Sequence, residues 1–145
     1  LSFMANLETL ADLTGENVTS WSGYLNALRS RREVFRAHGA TATDHGHPSA
    51  FTADLSKADC EKLFSIVLSG KATPEQAELF RAQMLTEMAG MSCEDGMVMQ
   101  IHPGARRNHN KKVFEYNSGN IERSDLCIQA NLALYIDQKT NNNCH

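Results

Sequence analysis

Two short apolar runs, each leading into a polar cluster, are held apart by a long stretch of helical pattern, and this spacing constrains the fold most. The later run is MVMQIHPGARRN, residues 97 to 108. Met97, Val98, Met99 and Ile101 read as a short buried strand with His102 at its end. Pro103 cannot donate to a strand ladder and Gly104 favours a turn, so Ala105, Arg106, Arg107, Asn108, His109 and Asn110 are expected as a loop over the strand's carboxyl end. The earlier run is Ala40, Thr41, Ala42 and Thr43, which leads into Asp44, His45, Gly46, His47 and Pro48. Antiparallel neighbours need only a short turn, whereas these runs lie about 50 residues apart, which predicts a parallel pair with a helical crossover. Ligands bind at the carboxyl ends of parallel strands, so two such ends predict a composite site.

The sequence around and between the runs carries helix signals. Leu7, Leu10 and Leu13 recur every third residue in a helix over 5 to 15 that stops at Gly15. Thr19 or Ser20 can cap a second helix whose inward stripe is Trp21, Tyr24, Leu25, Leu28 and Phe35, with Arg29, Arg31, Arg32 and Glu33 largely off it. Asn17-Val18-Thr19 matches a glycosylation acceptor but is read as the lead-in to this helix. Gly39 is a left-handed stop. Ser56 caps a third helix carrying Leu63, Phe64, Val67 and Leu68, ended by Gly70. Thr73-Pro74-Glu75-Gln76 combines a cap, a proline where no donor is needed and a capping-box glutamine, so a long helix follows. Its inner face uses Ala77, Phe80, Met84, Leu85, Met88 and Met91. A parallel pair is normally covered on both faces within a larger sheet, and Leu132 to Ile136 is a weak third strand at best. The chain therefore reads as a segment of a larger α/β domain, with sheet edge and face left open to association.

Composition excludes several classes of function. With 145 residues and a formal charge of −3, the chain has no general pull toward nucleic acid or anionic membrane. The basic run from Arg106 to Lys112 is local and reads as a solvated loop. No apolar run approaches the roughly 18 residues of a membrane span. The opening LSFMANLETL lacks the charged start and apolar middle of a secretory signal, and its Leu1 suggests that the chain does not begin at a native translation start. Cys60, Cys93, Cys127 and Cys144 form no CxxC pair, which argues against a zinc ribbon or a thioredoxin-like site and favours reduced thiols in the cytoplasm.

The chemistry gathers at the two strand ends. Asp44 and His45 offer a carboxylate and an imidazole for acid/base work or metal binding, although a turn-capping Asp and a packed His would look the same. His45 and His47 form an H-x-H pair, whose geometry Gly46 and Pro48 weaken; a solvated His47 is the simpler reading. His102 stands beside Gly104, where backbone can approach a ligand. Arg107 and Asn108 offer a planar cationic fork and an amide, suited to a carboxylate or a polyhydroxylated molecule, while Arg106 reads as a surface charge.

The succession ALRSRREVF, GATATDHG, LFSIVLSG, the helix through Phe80 and Met84, and DGMVMQIHPGARRN resembles the uronate isomerase family over residues 21 to 114. The resemblance implies a fragment of a distorted TIM (β/α)8 barrel of the amidohydrolase superfamily. It implies aldose-ketose isomerisation of hexuronates, D-glucuronate to D-fructuronate and D-galacturonate to D-tagaturonate, through an enediol-like intermediate. It puts Asp44 and His102 on catalytic positions, and His45, Arg107 and Asn108 among substrate contacts. It also implies a divalent metal, usually zinc, held chiefly by an H-x-H on the first barrel strand and an Asp on the last. Neither segment is present here, so no metal ligand is assigned, and His45-Gly46-His47 is not that first-strand pair.

Beyond Phe114 the quoted motifs stop, and residues 115 to 145 are expected as a divergent or disordered tail, with the closing QKTNNNCH poor in core-forming residues. The expected whole is an incomplete isomerase segment, inactive alone, with a hexuronate substrate, no nucleic acid or membrane partner, and room for self-association. The rival readings are a small metal module using His45, His47 and His102, a noncatalytic associating remnant, and a related amidohydrolase-superfamily hydrolase.

Overall fold

The computed structural model describes residues 3–106 and 128–129, with backbone alone at 105, 106, 128 and 129. The helices start where capping chemistry allows. After α1 (Phe3–Thr14), Ser20 caps α2 (Trp21–Ala37) by accepting from the Gly23 N–H at 3.1 Å. Ser56 caps α3 (Lys57–Leu68) through the Asp59 N–H at 3.2 Å. Thr73 opens α4 (Pro74–Asp95) with the expected reciprocal box: its Oγ1 accepts from Gln76 N at 3.2 Å, and Gln76 Oε1 accepts from Thr73 N at 2.9 Å. Gly96, at φ 74°, ends α4 in the left-handed conformation that a side chain would strain.

The strands are β1 (Ala42–His45) and β2 (Val98–Ile101), paired in parallel, with Ala42 opposite Val98, Thr43 opposite Met99, Asp44 opposite Gln100 and His45 opposite Ile101. The crossover runs through α3 and α4, as the spacing predicts. Both strands start later than the sequence pattern suggests, which moves Asp44 from the strand's end to its interior. The ladder continues past β2, since His102 N–H donates to the His45 carbonyl at 2.9 Å and Gly104 N–H to the His47 carbonyl at 3.0 Å.

α4 is the central element because it packs on both sides. Met84 and Met91 join Trp21, Leu25, Cys60 and Phe64 in the helical core, where Tyr24 and Phe64 stack with ring centres 5.1 Å apart. Leu85, Met88 and Ala89 instead cover Met99 and Ile101 of β2. Met99 is fully buried, so the methionine-rich pattern is core filling as expected. A smaller cluster of Leu7, Val18 and Ala27 ties α1 to α2.

Four expectations change. Phe35 continues the α2 stripe by period, yet it is 54% exposed and lies beneath the Arg31 guanidinium, because nothing among the described residues covers that end of the helix. Leu13 is likewise exposed. Arg32, expected largely off the stripe, is buried against the end of α4. Finally, Ala105–Arg106 is not loop but a short strand, β3, antiparallel to β4 (Ile128–Gln129). Pro103 and Gly104, the latter at φ 69°, redirect the chain, after which the backbone groups of β3 find this remote partner. The weak third strand at Leu132 to Ile136 lies outside the described residues, as does the rest of the 115 to 145 tail apart from β4.

Candidate active site

Strand alternation decides which side chains share a face. Met99 and Ile101 point under α4, so Gln100 between them points the other way, together with its partner Asp44. His102, two residues on, follows the same alternation along the extended ladder. The two candidates meet there: His102 Nε2 lies 2.8 Å from Asp44 Oδ1. The Asp44 side chain is 64% exposed and that of His102 19%, so the pair opens outward from the carboxylate.

A carboxylate can only accept, so the contact puts a proton on Nε2 and leaves Nδ1 to find a partner of its own. That Nδ1 is buried and unpartnered among the described residues. A buried polar atom without a partner costs about 1–3 kcal/mol, which marks this ring as part of an arrangement that further groups complete. Asp44 keeps its second oxygen free of any side-chain bond among the described residues.

The loop that follows β1 is held over this end by α4. Ser49 donates to Glu78 at 3.0 Å, the Leu55 N–H to Gln83 Oε1 at 2.9 Å, and Thr86 to the Ala53 carbonyl at 2.7 Å. The cleft lined by Glu33, Arg36, Thr41, Asp95 and Val98 lies at the other, amino end of the strands, away from Asp44 and His102. Its shape is not what singles out the site; the convergent polar groups are.

His45 is not brought to the pair. It pairs with Ile101 on the α4 side, and its Nε2 lies 3.0 Å from Thr43 Oγ1. Burial, reinforced by the His47 and Arg32 charges, pushes its pKa below the ordinary value against the opposing effect of Asp44. His47 stacks on His45 with ring centres 6.2 Å apart. Arg107 and Asn108 lie outside the described residues. No group of three or more His, Cys, Asp or Glu side chains among the described residues could hold a metal, so these residues do not fit a divalent-metal centre by themselves. The three-histidine module has no support, because His45 and His102 lie on opposite faces. Sequence reasoning passed over Gln100, whose signal was its place between two apolar residues, in step with His102.

An α/β segment with a parallel pair and an acid-imidazole contact at its carboxyl end defines a class of site rather than a protein. Comparison with known proteins supplies the family. The glucuronate isomerase family model matches residues 1–141, past the Phe114 at which the quoted motifs end. The uronate isomerase of Xanthomonas axonopodis pv. citri is 64% identical over 113 residues, covering 78% of this chain and 24% of that protein. That of Rhizorhabdus wittichii is 62% identical over 112 residues, covering 77% and 24%. The crystal structure of glucuronate isomerase from Caulobacter crescentus superposes with a TM-score of 0.67 at 57% identity, covering 75% of this chain and 23% of that one. The Thermotoga maritima uronate isomerase structure gives 0.70 at 26% identity, covering 88% and 28%. This chain belongs to the glucuronate isomerase family, and it spans about a quarter of the length of the curated relatives it matches.

Proposed function

We propose that the chain is the segment of a uronate isomerase that carries two of its reacting groups, Asp44 and His102. In this reading the whole protein interconverts D-glucuronate with D-fructuronate and D-galacturonate with D-tagaturonate in the cytoplasm. The observation that carries it is the 2.8 Å contact between Asp44 and His102 on the open face of a parallel pair, in a chain of this family. The rest of a TIM barrel of the amidohydrolase superfamily, with the ligands of a divalent metal such as zinc, belongs to segments other than this one.

The reaction moves one proton from C2 to C1 and one from O2 to O1, so no net acid or base is consumed. A carboxylate with one oxygen held and one open suits the carbon proton: it can accept from C2 and return the proton to C1. His102 fixes the held oxygen through Nε2–H and so aims the open one at the sugar carbons. Arg107 and Asn108 complete the reading by their chemistry, the guanidinium for the uronate carboxylate and the amide for a hydroxyl. His45 is left out, since its ring turns to Thr43 on the other face.

The test is a chimera in which the matched 113 residues of the Xanthomonas axonopodis protein are replaced by those of this chain. It is expected to form ketose from both hexuronates, and to lose this on Asp44→Asn or His102→Gln. A folded chimera that turns over neither hexuronate would sink the proposal.

A further inference from the structure

Gln100 is a polar residue where strand packing alone would place an aliphatic one. Parallel strands covered on both faces read as apolar runs, and Met99 and Ile101 obey this beneath α4. The other glutamines with described side chains have structural duties. Gln76 closes the capping box, and Gln83, buried in α4, accepts from Leu55 N–H and donates to Glu87. The Gln100 side chain takes no hydrogen bond among the described residues, although the residue is half-buried. An amide that a completed fold would enclose needs a partner, and the described residues do not supply one.

Its position says what kind of partner fits. Gln100 is the strand partner of Asp44 and lies two residues before His102, hence about 6.6 Å deeper along the same face. The carboxamide offers donors and an acceptor without adding charge beside Asp44, which matches a neutral hydroxyl better than a carboxylate or a cation. We infer that Gln100 is a substrate-binding residue of this site, its carboxamide gripping a sugar hydroxyl remote from the two reacting carbons. The inference rests on the isomerase reading above.

The chimera described above tests it with Gln100→Leu and Gln100→Asn, using D-glucuronate and its 3-deoxy and 4-deoxy analogues. Loss of one ground-state hydrogen bond is expected to raise KM about tenfold for Gln100→Leu while kcat changes less than about twofold. The penalty should vanish on the analogue that lacks the gripped hydroxyl, a pattern that a merely structural residue would not produce. Gln100→Asn, which draws the amide back, is expected to show a smaller penalty of the same pattern. Equal kcat/KM for parent and variants on every substrate overturns the inference, as does an equal loss on all substrates including both analogues. Failure of both variants to fold, by circular dichroism and melting, makes Gln100 structural and overturns it too. An inactive parent chimera instead overturns the isomerase reading, and this inference with it.

Discussion

Two charged contacts flank β2, one at each end, and they are built to opposite plans. At the amino end Arg32 holds Asp95 through Nε at 2.5 Å and Nη2 at 3.0 Å, with Nη2 also donating to Ser92 at 2.9 Å. Asp95 Oδ1 accepts the Met97 N–H as well, at 3.0 Å. Both side chains are nearly enclosed, at 8% and 13% exposure. Burial alone would raise the Asp95 pKa; the Arg32 hydrogen bonds, the Met97 N–H and the Arg32 and Arg36 charges outweigh it and hold it below the ordinary value. At the carboxyl end Asp44 and His102 share one contact, with the carboxylate open and Nδ1 without a partner among the described residues. A fully satisfied pair fixes how α2, α4 and β2 join, whereas an unfinished pair is free to meet something else. Parallel α/β barrels divide their two ends in the same way, stability at one and chemistry at the other.

The sharpest way to break that comparison is to exchange the readouts. Asp44→Asn in the chimera should lower kcat by about 10²–10⁴-fold, the usual reach of a positioned acid or base, with the melting temperature unmoved. Arg32→Ala should do the reverse. Stranding Asp95 in a nearly closed site is expected to cost about 3–5 kcal/mol in urea unfolding of this chain. Replacing both partners, Arg32→Met with Asp95→Leu, should recover much of that loss, because the penalty lies in an unpaired buried charge. A large stability loss from Asp44→Asn would make both ends structural and erase the distinction. A further contrast concerns the two faces of β2. Met99→Ala, beneath α4, should cost about 2–5 kcal/mol, while Gln100→Ala on the open face should stay within about 0.5 kcal/mol.

What could be read beforehand was what depends on near neighbours. Ser20, Ser56 and Thr73 cap helices through groups a few residues away, so the pattern S/T followed by a helical period was sufficient. The parallel pairing of β1 and β2 was legible because the intervening length excludes a hairpin. That His102 and Asp44 meet followed from the pairing and the family's motifs together. The rest depended on remote packing. Period alone put Phe35 inside and Arg32 largely off the inward stripe, but α4 ends beside Arg32 with Ser92 and Asp95, and nothing described covers Phe35. The pairing of Ala105–Arg106 with Ile128–Gln129 spans a distance along the chain that no local turn signal announces. Gln100 escaped notice because one amide in an apolar strand acquires meaning only once the face it occupies is known.

The smallest expected effect separates the two ends by pH. Asp95 has a folded pKa below its ordinary 3.8, so its contribution is present above that value and is lost as pH falls through the folded one; acid weakens the amino end only in that low window. His45 works in a different range. Its folded pKa lies below the ordinary 6.5, so between the two values the unfolded chain binds more protons than the folded one. Stability should therefore begin to fall as pH drops through 6.5, with the loss complete once His45 is protonated in the folded state too. Urea midpoints taken at about pH 7.5 and about pH 5.5 should differ in the parent, and the difference should shrink in His45→Gln. Asp95→Asn should leave that difference intact, since its titration lies well below this window. If the two variants flatten the profile alike, the half-buried imidazole is not what responds, and the carboxyl end carries no pH-dependent packing of its own.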